Sequence, residues 1–179
     1  MDELKAAREL RPDAVILGVK FAASLVPEIQ HVWTQHGEMT LKIKAAAGRP
    51  ITVHARPRFV QSAGSIYWHI PKAKESFEAI DYHWPKLDFA KGSSGIAGAM
   101  WARHGMGFDE VIMAGINLNT DDKKYADGYP NRYQYGISYA TDNSVENWLR
   151  LLQTHIANGK TDGIYSMGGN TQKLLGAPC

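Results

Sequence analysis

A single Rossmann-like α/β domain spanning residues 1–179, built on a mostly parallel, doubly wound sheet of about five strands, is the fold this sequence predicts. Three observations carry the expectation. Short apolar runs bounded by turn residues alternate with helical patterns of about 10 to 15 residues. The run Ala14-Val15-Ile16-Leu17-Gly18-Val19 is apolar throughout, as strands buried on both faces are. A chain of 179 residues has room for one full core and would be cramped with two.

Taken in order, the first ten residues predict a helix with Leu4, Ala7 and Leu10 on one face, closed by Arg11-Pro12-Asp13. The 14–19 run is the first strand, and His31-Val32-Trp33-Thr34 a second. A helix over roughly Glu38 to Ala47 stops at Gly48-Arg49-Pro50, and Ile51-Thr52-Val53-His54 is the third strand. The loop Gly92-Ser93-Ser94-Gly95 opens an apolar helix over 94–105, which feeds a fourth strand over Val111 to Ile116. Asn143 to Ala157 carries Val145, Trp148, Leu149, Leu152 and Ile156 at helical spacing. Asp142, Asn143 and Ser144 are its capping candidates and Asn158-Gly159 its stop. Ile164-Tyr165-Ser166 is the fifth strand and Thr171 to Leu175 a short closing helix. Residues 56–91 and 118–141 break the alternation; connections this long point to functional loops or lids.

Composition narrows the functional classes. A net charge of +2 with scattered Lys and Arg gives no footprint for nucleic acid, and the expectation is no nucleic-acid partner. One cysteine, Cys179, excludes an intramolecular disulfide and fits a reducing compartment, so the expected location is the cytoplasm. The opening MDELKAAREL reads as an amphipathic helix rather than a signal peptide. No apolar run approaches ~18 residues, so no membrane span is expected.

In open α/β sheets the ligand lies outside the carboxyl ends of the strands. That rule selects Lys20, Thr34 to Glu38, Arg56, Ser93, Ser94, Asn117, Asn119 and Ser166 to Asn170. Small residues in the Gly92-Ser93-Ser94-Gly95 loop let backbone amides approach a ligand closely, and a helix N-terminus favours an anion. The plainer alternative is an N-cap, with Ser93 or Ser94 satisfying the first amides. The loop is neither a Walker motif nor the dinucleotide Gly-x-Gly-x-x-Gly. His36, in Thr34-Gln35-His36-Gly37-Glu38, follows a strand end, where a side chain can enter the crevice or rest at the surface. The seven histidines form no HExxH or HxH, and Asp121-Asp122 is not the Asp-x-Asp of many metal-dependent glycosyltransferases, so no metal is expected. Tyr67-Trp68-His69 and Tyr82-His83-Trp84 suit loop packing or an interface better than ligand stacking. Tyr125, Tyr129, Tyr133, Tyr135 and Tyr139 crowd the second long loop, where phenols could bind phosphate or form a contact surface. Nothing marks Cys179 as an activated nucleophile.

Ser93-Ser94-Gly95-Ile96-Ala97, followed by a helix and Gly107-Phe108-Asp109-Glu110-Val111-Ile112-Met113-Ala114-Gly115-Ile116-Asn117-Leu118, resembles the central motif of the bacterial sialyltransferases of glycosyltransferase family 42. It is equally similar to uncharacterised, often phage-encoded, glycosyltransferase-like proteins. The closing segment from Ile164 to Gly176 resembles the tail of those phage proteins, and Gln35-His36-Gly37-Glu38 is similar to their Leu-His-Pro-Glu. The resemblance spans 14–55 loosely, 92–119 well and 136–176 moderately; 56–91 has no counterpart.

The resemblance implies a metal-independent glycosyl transfer that needs no cofactor beyond a nucleotide-sugar donor of CMP-sugar type. On that resemblance Ser93 and Ser94 would hold the donor and Tyr125 would bind its phosphate; the loop glycines Gly92 and Gly95 and the strand-end residues Thr34, Asn117 and Asn119 complete the expected nucleotide site, and His36 is the expected acid/base. Three departures stand against it. Asn117 replaces the family's Asp, the family's opening Gly-x-Gly-x-Ser loop has no counterpart, and Ile137 stands where its general-base histidine would fall. Losing such a base costs about 10²–10⁴-fold in rate, and His36 or His54 could substitute only if the geometry were rearranged. The alternative is a catalytically silent phage structural or interaction protein on the same fold, in a homo-oligomer or a larger, virion-type assembly.

Overall fold

The computed structural model describes residues 2–56, 73–84, 93–119 and 143–179. The helices are α1 (Asp2–Leu10), α2 (Thr40–Ala47), α3 (Ala73–Glu78), α4 (Ser94–His104), α5 (Asn143–Ala157) and α6 (Gly169–Leu175). The strands are β1 (Leu17–Val19), β2 (His31–Thr34), β3 (Thr52–Ala55), β4 (Tyr82–His83), β5 (Val111–Met113) and β6 (Ile164–Ser166), and 3₁₀ turns cover Lys20–Ser24 and Gly37–Met39. The fold is mixed α/β. Among the described residues the strands pair as a four-stranded parallel sheet, β1-β2-β3-β4, and a two-stranded parallel pair, β5-β6. Compactness divides the chain into two units, Ile16–Ala90 and Met1–Val15 with Lys91–Cys179.

In the unit Ile16–Ala90, strand order follows chain order without reversal, so the change of direction that defines a doubly wound crevice does not fall inside this sheet. Val19 pairs with Trp33, Trp33 with His54 and His54 with Tyr82. Because side chains alternate across a strand, Trp33, His54 and Tyr82 share one face, and Val32, Thr34, Val53 and Ala55 the other. Burial on both faces explains the near-continuous apolar runs: Val32, Trp33, Val53 and Ala55 are all fully buried. Trp33 and Trp84 meet edge to face at 5.8 Å.

Two strands are shorter than their sequence runs. Residues 14–16 are not strand, and Val15 is largely exposed, because β2 offers only His31, Val32 and Trp33 as partners. Likewise β5 stops at Met113, where its partner β6 ends at Ser166. The connection read as 56–91 contains α3 and β4, which no sequence pattern announced.

Arg49, expected only as part of a helix stop, ties this unit's loops together. Gly48 takes φ 65 to end α2. The Arg49 guanidinium then donates to the carbonyls of Ala23, Val26, Pro27, Ile29 and Ala47, at 2.8 to 3.3 Å. A planar fork of five donors suits such a ring of acceptors, and an ammonium would not.

In the other unit, α4 is buried along Gly95 to Ala102, as its uniformly apolar sequence requires. Polar ties hold α1 alongside β5. Arg11 grips both carboxylate oxygens of Glu110 at 2.8 and 3.1 Å, and Glu3 Oε2 accepts from Gly115 N at 2.7 Å. The C-terminal end of α1 is thus fixed before β5 and its N-terminal end after it, so the helix runs antiparallel to the strand. Among the described residues no helix is long and apolar enough to cross a membrane.

Candidate functional site

The carboxyl ends of β1 and β2 bring Lys20, Thr34, His36 and Glu38 together. The chain leaves β2 at Thr34, whose hydroxyl accepts from His36 N at 3.0 Å and sets the turn. Gly37 to Met39 then form the 3₁₀ turn that leads into α2, fixed by Thr40 Oγ1 donating to Gly37 O at 2.8 Å. The predicted helix from Glu38 therefore begins with that turn and becomes regular at Thr40.

The turn buries the Glu38 side chain completely, with Oε1 3.0 Å from His36 Nδ1. A carboxylate only accepts, so this contact holds a hydrogen on Nδ1. The His36 side chain keeps 12 % of its surface exposed. Glu38 Oε2 is also buried and has no hydrogen-bond partner among the described residues. Lys20, just past β1, has φ 53, a left-handed conformation uncommon for a residue with a side chain. Burial lowers its amine below the usual lysine value, and the nearby Glu38 charge opposes that shift without cancelling it. An imidazole oriented by a buried carboxylate, beside a half-buried amine, is a set of groups able to move protons at a reacting centre.

A second cluster crosses the sheet at β2, β3 and β4. His31 Nδ1 and His54 Nε2 share a hydrogen bond of 3.1 Å, and the His54 ring stacks on Tyr82 at 5.0 Å and 13°. Burial, followed by the His31 charge, pushes the His54 imidazole down to about 4, against an opposing pull from Asp81. Asp81 accepts from Val53 N at 2.6 Å and pairs with Lys44 at 2.9 Å. Burial raises its carboxyl, but these donors outweigh it and leave the group below the ordinary aspartate range. The sequence offered no sign of this cluster, because it depends on strand register.

The other unit holds the rest of the predicted site. Ser93 caps α4, its hydroxyl accepting from Ile96 N at 3.1 Å. A Cβ on Gly95 would lie 2.7 Å from the Ile116 side chain, so that glycine is required by packing. Ser94 is half-buried. Asn117 uses its carbonyl to accept from Asn170 N and Thr171 N at 2.9 and 3.3 Å, and Asn119 Oδ1 accepts from Asn170 N at 3.1 Å. Thr171 Oγ1 donates to Ile116 O at 2.7 Å. A Cβ on Gly169 (φ 66) would meet Asn117 at 2.5 Å, so only glycine allows this approach. The amides that open α6 are thus engaged by the 116–119 segment. Gly92 and Tyr125 lie outside the described residues. Among the described residues no three His, Cys, Asp or Glu side chains gather as metal ligands.

Set against protein-family models, curated proteins and solved structures, the chain finds no match in any of the three.

Proposed function

We propose that this protein is a glycosyltransferase-like group-transfer enzyme in which His36, oriented by Glu38, takes the proton from an acceptor hydroxyl. The observation that carries the proposal is the 3.0 Å contact between His36 Nδ1 and the fully buried Glu38. Holding the hydrogen on Nδ1 makes Nε2 the atom that exchanges the proton. Glu38 then stabilises the imidazolium that forms, and a base so placed contributes about 10²–10⁴-fold to the rate. Its position at the carboxyl ends of parallel strands is where α/β proteins bind ligands. The resemblance of residues 92–119 to family 42 supplies the substrate class, a nucleotide sugar, and the finer fold, a doubly wound Rossmann-like domain. That resemblance gives the donor to Ser93 and Ser94, of which Ser93 already caps α4, and the donor's phosphate to Tyr125.

Calorimetric titration with CMP- and UDP-sugars tests the proposal. One of them should bind, and His36→Gln should retain that binding, because the histidine acts on the acceptor. Absence of binding by every nucleotide sugar overturns the proposal.

One observation favours a silent scaffold instead. The Ser93 hydroxyl is committed to capping α4, and Gly95 is committed to packing against Ile116, so the most family-like segment does structural work. On that reading the native protein forms a large assembly and binds no nucleotide, which native mass spectrometry separates from the first.

A further inference from the structure

We propose that Lys20 is a carbonyl-reactive amine, and that the cluster around it takes a substrate bearing an aldehyde or ketone and holds it as an imine. The inference rests on His36 and Glu38 being a reacting centre and adds a substrate chemistry to it.

Three independent observations support it. The first is position. Val19 pairs with Trp33, so Lys20 leaves β1 level with Thr34, the residue whose hydroxyl sets the turn to His36. The second is backbone conformation. Lys20 has φ 53, and a residue other than glycine is held in such a conformation where the surroundings enforce it, commonly at functional sites. The third is Glu38. Its side chain is fully buried, Oε1 faces His36, and Oε2 has no hydrogen-bond partner among the described residues. A buried carboxylate oxygen demands a donor, and the N–H of a protonated imine is one. Burial also lowers the amine from the ordinary lysine value, which raises the share of neutral, nucleophilic nitrogen.

The chemistry balances with these groups alone. Lys20 Nζ adds to the carbonyl carbon and one amine proton passes to the oxygen, giving a carbinolamine. Protonated His36 gives that hydroxyl a second proton. The C–O bond breaks, water leaves, and the nitrogen lone pair forms the C=N bond. The positive charge moves from His36 to the iminium nitrogen, whose remaining hydrogen is donated to Glu38 Oε2. Neither an oxidant nor a reductant is consumed.

The test is reductive trapping. The full chain is incubated with glycolaldehyde and sodium cyanoborohydride at a series of values between about pH 6 and about pH 10, and adducts are mapped by peptide mass spectrometry. Lys74, whose side chain is 90 % exposed, is the internal reference. At the acid end Lys20 should label faster than Lys74, about tenfold for each pH unit by which burial lowers its amine, and its labelling should set in at a lower pH than that of Lys74. In urea the two should label alike. Labelling of Lys20 no faster than Lys74 in the folded protein, or a preference that persists in urea, overturns the proposal. The readout involves no nucleotide. A failed nucleotide titration therefore leaves the Lys20 result standing, and failed trapping leaves the glycosyl-transfer proposal to its own experiment.

Discussion

Lowering the pH through the range in which an ordinary histidine gains its proton should destabilise this fold through His54. His54 is 3 % exposed, its ring is bonded to His31 and stacked on Tyr82, and its value falls from 6.5 to about 4. Between those two values the unfolded chain binds a proton that the folded chain refuses, so stability rises with pH across the window. It is fully present above 6.5 and lost as the pH falls toward 4. At about 1.4 kcal/mol per unit, the drop from 6.5 to about 4 amounts to roughly 3 kcal/mol. Asp81 opposes it, because a protonated His54 gains that neighbour. The assay is urea unfolding at a series of pH values for the native chain and for His54→Phe, which keeps a ring beside Tyr82 but has no nitrogen to titrate. The native chain should lose roughly 3 kcal/mol relative to the variant across the window. Parallel curves for the two proteins would refute the assignment of the shift to His54.

Three substitutions check other parts of the structure. Arg49→Ala strands five carbonyls that the guanidinium now satisfies, and should cost about 3 kcal/mol in denaturant unfolding after water replaces some bonds. Arg49→Lys should recover less than half of that, because an ammonium cannot fork. Ser93→Ala should cost about 1 kcal/mol through loss of the α4 cap while leaving nucleotide affinity unchanged. Lost affinity at unchanged stability would mean that the hydroxyl serves a ligand instead. Gly95→Ala forces a methyl against Ile116 and should cost about 1–3 kcal/mol, a loss that Ile116→Ala in the same chain relieves.

What the sequence announced and what it withheld divide along physical lines. Helix α5 was legible because Val145, Leu149, Leu152 and Ile156 repeat at helical spacing, and periodicity is a local property. Strand ends were not, because a strand extends only as far as its partner does. Val15 belongs to an apolar run yet lies exposed where β2 has no residue to offer it. Strand β4 is two residues long and α3 six, too few for a period to show. At the candidate site, Thr34-Gln35-His36-Gly37-Glu38 was visible as a segment leaving a strand, and so was Lys20. The pairing of His36 with a buried Glu38 and the left-handed Lys20 backbone arise from the turn and the neighbouring strand. The His31–His54–Tyr82 cluster needs the register of three strands, which no single segment encodes. Arg49 read as punctuation because its acceptors lie up to 26 residues away in the chain.

The proposed role of His36, oriented by Glu38, is that of acid/base in a group transfer. Its most direct test is the rate at which nucleotide is released from the nucleotide sugar found to bind, measured chromatographically for the native chain and for His36→Gln. His36→Gln should release nucleotide about 10²–10⁴-fold more slowly at unchanged affinity. Equal release by the two proteins would contradict it.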